Sequence, residues 1–454
     1  MTLIHALGSS LLLCGLLACN ETSDHSGITF STVSPADSTL QVAYIEQFCD
    51  EGFKGNPELY AVAANFAGDY PTALEYRAID ERSDNQEAMT GSISAEELDD
   101  IEQQLLDKIA NESLSNEHPS DAQIFLEMMR HSQPDYADSI LQVAKVADAR
   151  EYIVEQAQQY HYTLINEAHY SSQHRQFTKS LLAPLYEQGY RYLALETLQA
   201  SIEELRDTQY PLMETGYYTK DPVFANLVRE AIRLGYTLIS YDKGGRTNNE
   251  RDSISAINIY ENTLKKDKKG KVLVHAGYSH ILENKPYSSN KFQMGWALKE
   301  LIGRDILTVD QERMNWLPDS TLLNPWYKKA QHYHNITEPI ILLEDEDNSL
   351  VDPVNMIGID IQIYHPPTRF DKGRPHWLAE EGKVDVDLPE ELLQDWSGYL
   401  MQVHKQGEAH GAVSVDNIVV GRARKLILAP GEYIYLLVNC NSKVKGKGTI
   451  RVGT

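Results

Sequence analysis

Glu167 and His169 stand two positions apart in the stretch LINEAHYSSQHR, Leu164 to Arg175, just after the apolar and aromatic run Tyr162–Ile165. In an extended segment residues two apart point the same way, so a carboxylate and an imidazole face one crevice. Such a pair can do two kinds of chemistry. The carboxylate can orient the ring so that it takes a proton from water, or the two can share a metal ion. Arg175 falls on the first turns of the segment that follows. It is expected to return to the crevice and hold an anionic group, with a surface arginine as the plain alternative.

Further ionisable residues fall at matching places. Glu196 follows the run ending at Leu195, and Asp242 follows the run ending at Tyr241. In KVLVHAGYSHILE, Lys271 to Glu283, His275 and His280 flank Gly277, which lets the chain turn sharply. This spacing is not that of a helical zinc motif. In NNERDSISAINIYENTL, Asn248 or Asn249 can cap a helix, and Asp252 in its first turn is favoured by the helix dipole. Arg251 shares a face with Ile254 and Asn258 and could reach a substrate oxyanion. Equally, Arg251 and Asp252 could be salt-bridge partners.

The elements that must position these groups alternate. Short apolar runs at Tyr162–Ile165, Tyr192–Leu195, Thr237–Tyr241, Val272–Val274 and Ile306–Val309 read as strands. Helical patterns at Ser172–Gln188, Pro222–Leu234, Arg251–Lys265 and Lys291–Leu301 lie between them. Continuous apolar strands alternating with helices predict an α/β fold, a mostly parallel sheet covered by helices on both faces. In such sheets chemistry collects beyond the carboxyl ends of the strands. Glu167, His169, Glu196, Asp242, His275 and His280 all fall there.

Around this core, residues 151–311, the texture differs. Residues 31–150 read as helical. GNPELYAVAANFAGDYPTALEYRAID, Gly55 to Asp80, has a single weakly tetratricopeptide-like unit, and SAEELDDIEQQLLDKIANE, Ser94 to Glu112, opens with a capping box. Residues 312–454 read as a β-rich unit or an antiparallel extension of the sheet, with Pro430-Gly431 as a turn and only a short helical run near Pro389–Trp396.

The chain has 454 residues, 42% hydrophobic, and a formal net charge of −25. That charge excludes nucleic acid as a partner, since binding it needs a basic face. It also repels an anionic bilayer, so membrane attachment should be covalent. The first residues supply a candidate. The apolar run ending Leu16-Leu17-Ala18-Cys19 resembles a bacterial lipoprotein signal, in which the cysteine takes a lipid before cleavage. The expected layout is a signal peptide, 1–18, then a lipidated tether, 19–30. The expected location is the bacterial cell envelope, anchored through Cys19 to the outer membrane. No other stretch approaches the ~20 apolar residues needed to span a bilayer. Cys49 and Cys440 remain, and their separation in sequence leaves a bridge open.

INEAH, YLALE, RDSISAINI and VLVHAGYSH, in that order, resemble the superfamily of erythromycin esterases, ChaN-type haem-binding lipoproteins and Tiki/TraB proteins. The resemblance spans about Tyr152 to Asp310. Asn166 stands where that family usually has glycine. The resemblance implies an erythromycin-esterase/ChaN-like core in which Glu167 and His169 activate a water. His280, with His275, would complete the site, and Arg251 or Arg175 would bind the anion.

Three functions are carried forward. The first is a hydrolase attacking an ester, lactone or amide of a small-molecule substrate with water, since no GxSxG elbow is present. Its catalytic set would be Glu167, His169, His280, His275, Arg251 and Glu196, with Arg175, Asp242 and Asp252 binding substrate. The second is a lipoprotein that captures haem or a divalent metal through Glu167, His169, His275 and His280. The third is a scaffold whose crevice is a fossil and whose helical and β-rich flanks are the working surfaces, with a protein partner expected at the helical N-terminal region.

Overall fold

The computed structural model describes residues 27–35, 46–89, 134–199, 202–245, 247–283, 293–345, 348–352, 358–409 and 411–453. The signal peptide, Cys19 and the Ser94–Glu112 helix expected from the sequence lie outside these residues.

Along the chain run β1 (Ile28–Phe30), β2 (Lys145–Asp148), β3 (Tyr162–Glu167), β4 (Tyr190–Leu195), β5 (Thr237–Ser240), β6 (Lys271–Gly277), β7 (Leu307–Met314), β8 (Ile340–Leu343) and β9 (Ile361–Tyr364). Eight of them form one sheet in the order β2-β8-β9-β7-β3-β6-β4-β5. From β9 to β5 every neighbouring pair is parallel, whereas β2–β8 and β8–β9 are antiparallel. Over all described ladders, eight antiparallel pairs stand against five parallel ones. The mostly parallel sheet expected from the sequence is therefore corrected to a mixed one. β8 and β2 add an antiparallel edge, and the C-terminal strands are antiparallel throughout.

β3 shows how the sequence makes the layers. Its six residues, all buried, alternate between faces. Ile165 packs with Leu193, Leu195, Leu273 and the helices Ser172–Glu187 and Pro222–Leu234. Tyr162 and Leu164 pack the other way with Ala194, Val272, Val274 and the helices Asn248–Asn262 and Met294–Ile302. The boundary drawn at residue 311 falls inside β7, and the sheet continues to Tyr364.

The later strands are β10 (Phe370–Asp371), β11 (Arg374–Pro375), β12 (Val384–Asp387), β13 (Leu400–Lys405), β14 (Asp416–Val419), β15 (Lys425–Leu428), β16 (Gly431–Val438) and β17 (Val444–Val452). A second sheet has the order β1-β17-β16-β13-β14, so a strand from the expected tether closes its edge. The helix pair Pro57–Phe66 and Tyr70–Met89 docks on this sheet. Tyr60, Ala63 and Ala64 bury against Leu400, Leu436 and Val438. Gly68 makes the close approach possible, because a Cβ there would lie 1.8 Å from the carbonyl oxygen of Asn417. Beside it Cys49 and Cys440 are joined by a disulfide across 391 residues of sequence.

The helix Pro325–His334 was not expected after Leu301. Asn324 caps it by accepting from the Trp326 N–H, and Pro325 opens its first turn. Trp326, Tyr327 and Ala330 bury against Leu342 and Tyr364.

Candidate functional site

β3 ends at Glu167 in register with Gly277, the last residue of β6. His169, two residues on, reaches back to the same side, and its Nδ1 lies 3.2 Å from Glu167 Oε1. The carboxylate has three further donors. Arg175 gives Nε to Oε2 at 2.7 Å and Nη2 to Oε1 at 2.8 Å, and His275 Nε2 lies 2.8 Å from Oε2. Burial alone would raise the Glu167 carboxyl. The Arg175 charge and hydrogen bonds, with His275 and His169, outweigh it and hold the group well below the ordinary carboxylate range.

Arg175 does not bind an anion from solution, as the sequence led us to expect. It is wholly buried between two carboxylates, with Nη1 on Asp221 Oδ2 at 2.8 Å and Nη2 also on the His169 carbonyl at 2.9 Å. Asp221 is itself the N-cap of the Pro222–Leu234 helix and accepts from Ser172 Oγ. His275 is buried too. Its Nδ1 lies 3.3 Å from Thr178 Oγ1 and its ring edges Phe224. These groups form the back of the cluster and are closed off from solvent.

His169 is the member of this cluster that meets solvent, with 16% of its side chain exposed. Tyr218 stacks on its ring, centroids 4.3 Å apart, and Tyr278 meets it edge-on at 4.7 Å. Gly277 makes its place: a Cβ there would lie 2.1 Å from His169 Cε1 and 2.6 Å from Nε2. Tyr278 follows with φ of 47°, a left-handed conformation costly for a bulky residue. It is held by Asn166, which donates to its carbonyl, and by its hydroxyl, which donates to Glu58 on the Pro57–Phe66 helix.

A second network adjoins the first at Gly277. Glu196, after β4, accepts the Gly277 N–H through Oε2 and Arg251 Nη2 through Oε1. Arg251 also binds Asp242 through Nε and Nη2, so Asp242 serves the arginine. His280 Nδ1 lies 2.6 Å from Asp252 Oδ1. Burial opposes a charge on His280, but the Asp252 hydrogen bond and the Glu196 charge outweigh it and raise its pKa. Asp252 is buried, so its expected role in binding substrate gives way to holding His280. Arg251 and His280 remain accessible, with side chains 35% and 22% exposed.

His174, beside Arg175, lies apart from both networks. It is buried, its Nδ1 accepts the Ala168 N–H, and burial pushes its pKa down to about 3. Tyr218, Tyr278 and Asp221 were not singled out in the sequence. Asp221 before Pro222 carries a readable cap signal, whereas nothing in the spacing of the tyrosines marks them. Among the described residues no group of three or more His, Cys, Asp or Glu side chains is placed to hold a metal ion.

No family model matches the chain, and no curated protein matches it. Solved structures similar to it include the type III effector HopBA1, at 12% identity over 37% of this chain and 86% of that one, TM-score 0.27. A bacterial protein toxin matches at 14% identity over 61% and 68%, TM-score 0.30. RRSP, a MARTX toxin effector domain from Vibrio vulnificus, matches at 16% identity over 53% and 50%, TM-score 0.26. With no matching family model and no matching curated protein, the resemblance to erythromycin esterases and ChaN-type lipoproteins read from INEAH, YLALE, RDSISAINI and VLVHAGYSH is not supported and is corrected. At such identities and scores the likeness assigns no activity to this chain.

Proposed function

We propose that the crevice is a hydrolytic site in which His169 is the general base for attack of water on an ester, lactone or amide. One observation carries the reading: a partly exposed imidazole is held through Nδ1 by a buried, charged carboxylate, while its Nε2 lies over a glycine. In the neutral ring, Nδ1–H toward Glu167 leaves the Nε2 lone pair to accept a proton from water. Arg175 and His275 act on Glu167 rather than on substrate. They keep it ionised and fixed, so the tautomer and the ring plane are set before substrate arrives. The rings of Tyr218 and Tyr278 narrow the space at His169, which favours a water there over a haem macrocycle.

The test is His169→Ala on a panel of esters, lactones and amides. Loss of a positioned base should lower turnover by about 10²–10⁴-fold with unchanged melting. Full activity in the variant would sink the reading. An inert wild type whose absorbance with added haem reports a histidine ligand lost in His169→Ala would establish the binding alternative. We further propose that the protein is exported and lipid-anchored through Cys19; the Cys49–Cys440 disulfide supports the export alone, because such bonds persist in oxidising compartments. Detergent phase partition should separate wild type from Cys19→Ala; identical partition of both into the aqueous phase would rule the anchor out.

A further inference from the structure

Two histidine–carboxylate pairs, His169–Glu167 and His280–Asp252, flank the Glu196 carboxylate at the ends of β3, β4 and β6. Glu196 ties them. Its Oε2 accepts the Gly277 N–H and would lie 3.0 Å from a Gly277 Cβ, the same point that would lie 2.6 Å from His169 Nε2. His280 sits three residues further, on the turn Tyr278–Ile281. The chemical environments of the two rings differ. Besides Glu167 on Nδ1, His169 has the stacked Tyr218, the edge of Tyr278 and its own carbonyl on Arg175. His280 is faced by Asp252 and Arg251 from the Asn248–Asn262 helix and by Glu196 from the end of β4.

We propose that His280 is the general acid of the reaction, so that the site is built for substrates with a poor leaving group, an amide or an alkyl ester. This rests on the hydrolytic reading of His169. Water gives a proton to His169 Nε2 as its oxygen bonds to the carbonyl carbon, and the carbonyl π pair moves to oxygen. That pair returns as the bond from carbon to the leaving nitrogen or oxygen breaks. The leaving atom takes the proton from His280 Nε2, while His280 Nδ1–H stays on Asp252. Transfer of the proton on His169 back to His280 through solvent restores both rings. The sum is acyl donor plus water giving acid plus amine or alcohol. The Asp252 hydrogen bond and the Glu196 charge keep His280 protonated further into the alkaline range than an isolated imidazole, which is what an acid requires.

The experiment compares kcat/KM for an alkyl ester and a nitrophenyl ester of the same acyl group, in wild type and in His280→Gln and Asp252→Asn. A general acid matters most when the leaving group is poor. The expected loss for His280→Gln is about 10²–10⁴-fold on the alkyl ester and at least tenfold smaller on the nitrophenyl ester. The alkaline limb of the wild-type profile should move to lower pH in Asp252→Asn. Equal losses on both esters, or an unmoved alkaline limb, overturn the assignment of His280 while leaving His169 as base. A wild type inert on both esters and on the amide panel overturns the hydrolytic reading and this inference with it.

Discussion

Gly277→Ala tests the site without touching a titratable group. Gly277 has φ −78° and ψ 142°, a conformation alanine adopts freely, so the backbone is not strained by the change. The added methyl would lie 2.1 Å from His169 Cε1, whereas ordinary contact begins near 3.4 Å, so the ring must move by about 1.3 Å. Tyr218, stacked 4.3 Å away, limits motion along the ring normal, and the remaining path swings His169 off Glu167. A net loss of ~1.5–3 kcal/mol for a charge-assisted hydrogen bond is expected. A displacement of this size in a reacting group costs roughly 10²-fold in rate, or about 2.7 kcal/mol of barrier. Turnover on the ester and lactone panel, with melting temperature, measures both. Coupling supplies the control: His169→Ala removes the clash, so the double variant should be more stable than Gly277→Ala alone and no less active than His169→Ala. A Gly277→Ala enzyme within threefold of wild type, or a double variant less stable than either single one, would refute the geometry.

Three other outcomes follow from the same structure. His174, wholly buried with its pKa pushed down to about 3, binds a proton in the unfolded chain near pH 6.5 but not in the folded one. Stability therefore falls as pH drops from about 6.5 to 3, by on the order of 5 kcal/mol from this group, and His174→Gln should flatten the melting profile there; an unchanged slope would count against it. Opening the Cys49–Cys440 bridge, which closes 391 residues, should lower the denaturant midpoint by a stability of up to roughly 6 kcal/mol on the chain-entropy estimate, and reductant should have no effect on Cys49→Ser/Cys440→Ser. Protein purified without chelator should carry no stoichiometric transition metal; a full equivalent lost in His169→Ala would reverse this.

Glu167 and His169 were legible as a pair from their nearness in sequence, but the strand ends at Glu167 and His169 lies in the turn that follows, so the 3.2 Å contact is made by that turn and not by strand alternation. The helix Pro222–Leu234 was legible from end to end, opened by Asp221-Pro222 and closed by Gly235 in the left-handed region. The fate of Arg175 was not. Its partner Asp221 lies 46 residues away, and only the packed fold shows that two buried carboxylates consume the guanidinium. That also alters the expected effect of Glu167→Gln. Removing one charge from a buried network costs about 3–5 kcal/mol, so His169→Ala is the cleaner probe. The docking of Pro57–Phe66 on the C-terminal sheet, and the reach of Glu58 to Tyr278 across 220 residues, have no sequence signature because each joins segments far apart in the chain.

The pairing of β1 with β17, Ile28 against Val452, sets an order of events. A chain made or threaded across a membrane from its N-terminus exposes Ile28–Phe30 first and must complete Val444–Val452 before that edge can close. The same delay holds for Cys49, whose partner Cys440 follows 391 residues later. The α/β core, built of contacts between nearer segments, has no such wait. Folding should then proceed from the middle outward, with the second sheet closing last. Until it closes, Cys49 is a free thiol and β17 an unpaired edge, the interval in which thiol–disulfide exchange and chaperone contact decide the yield.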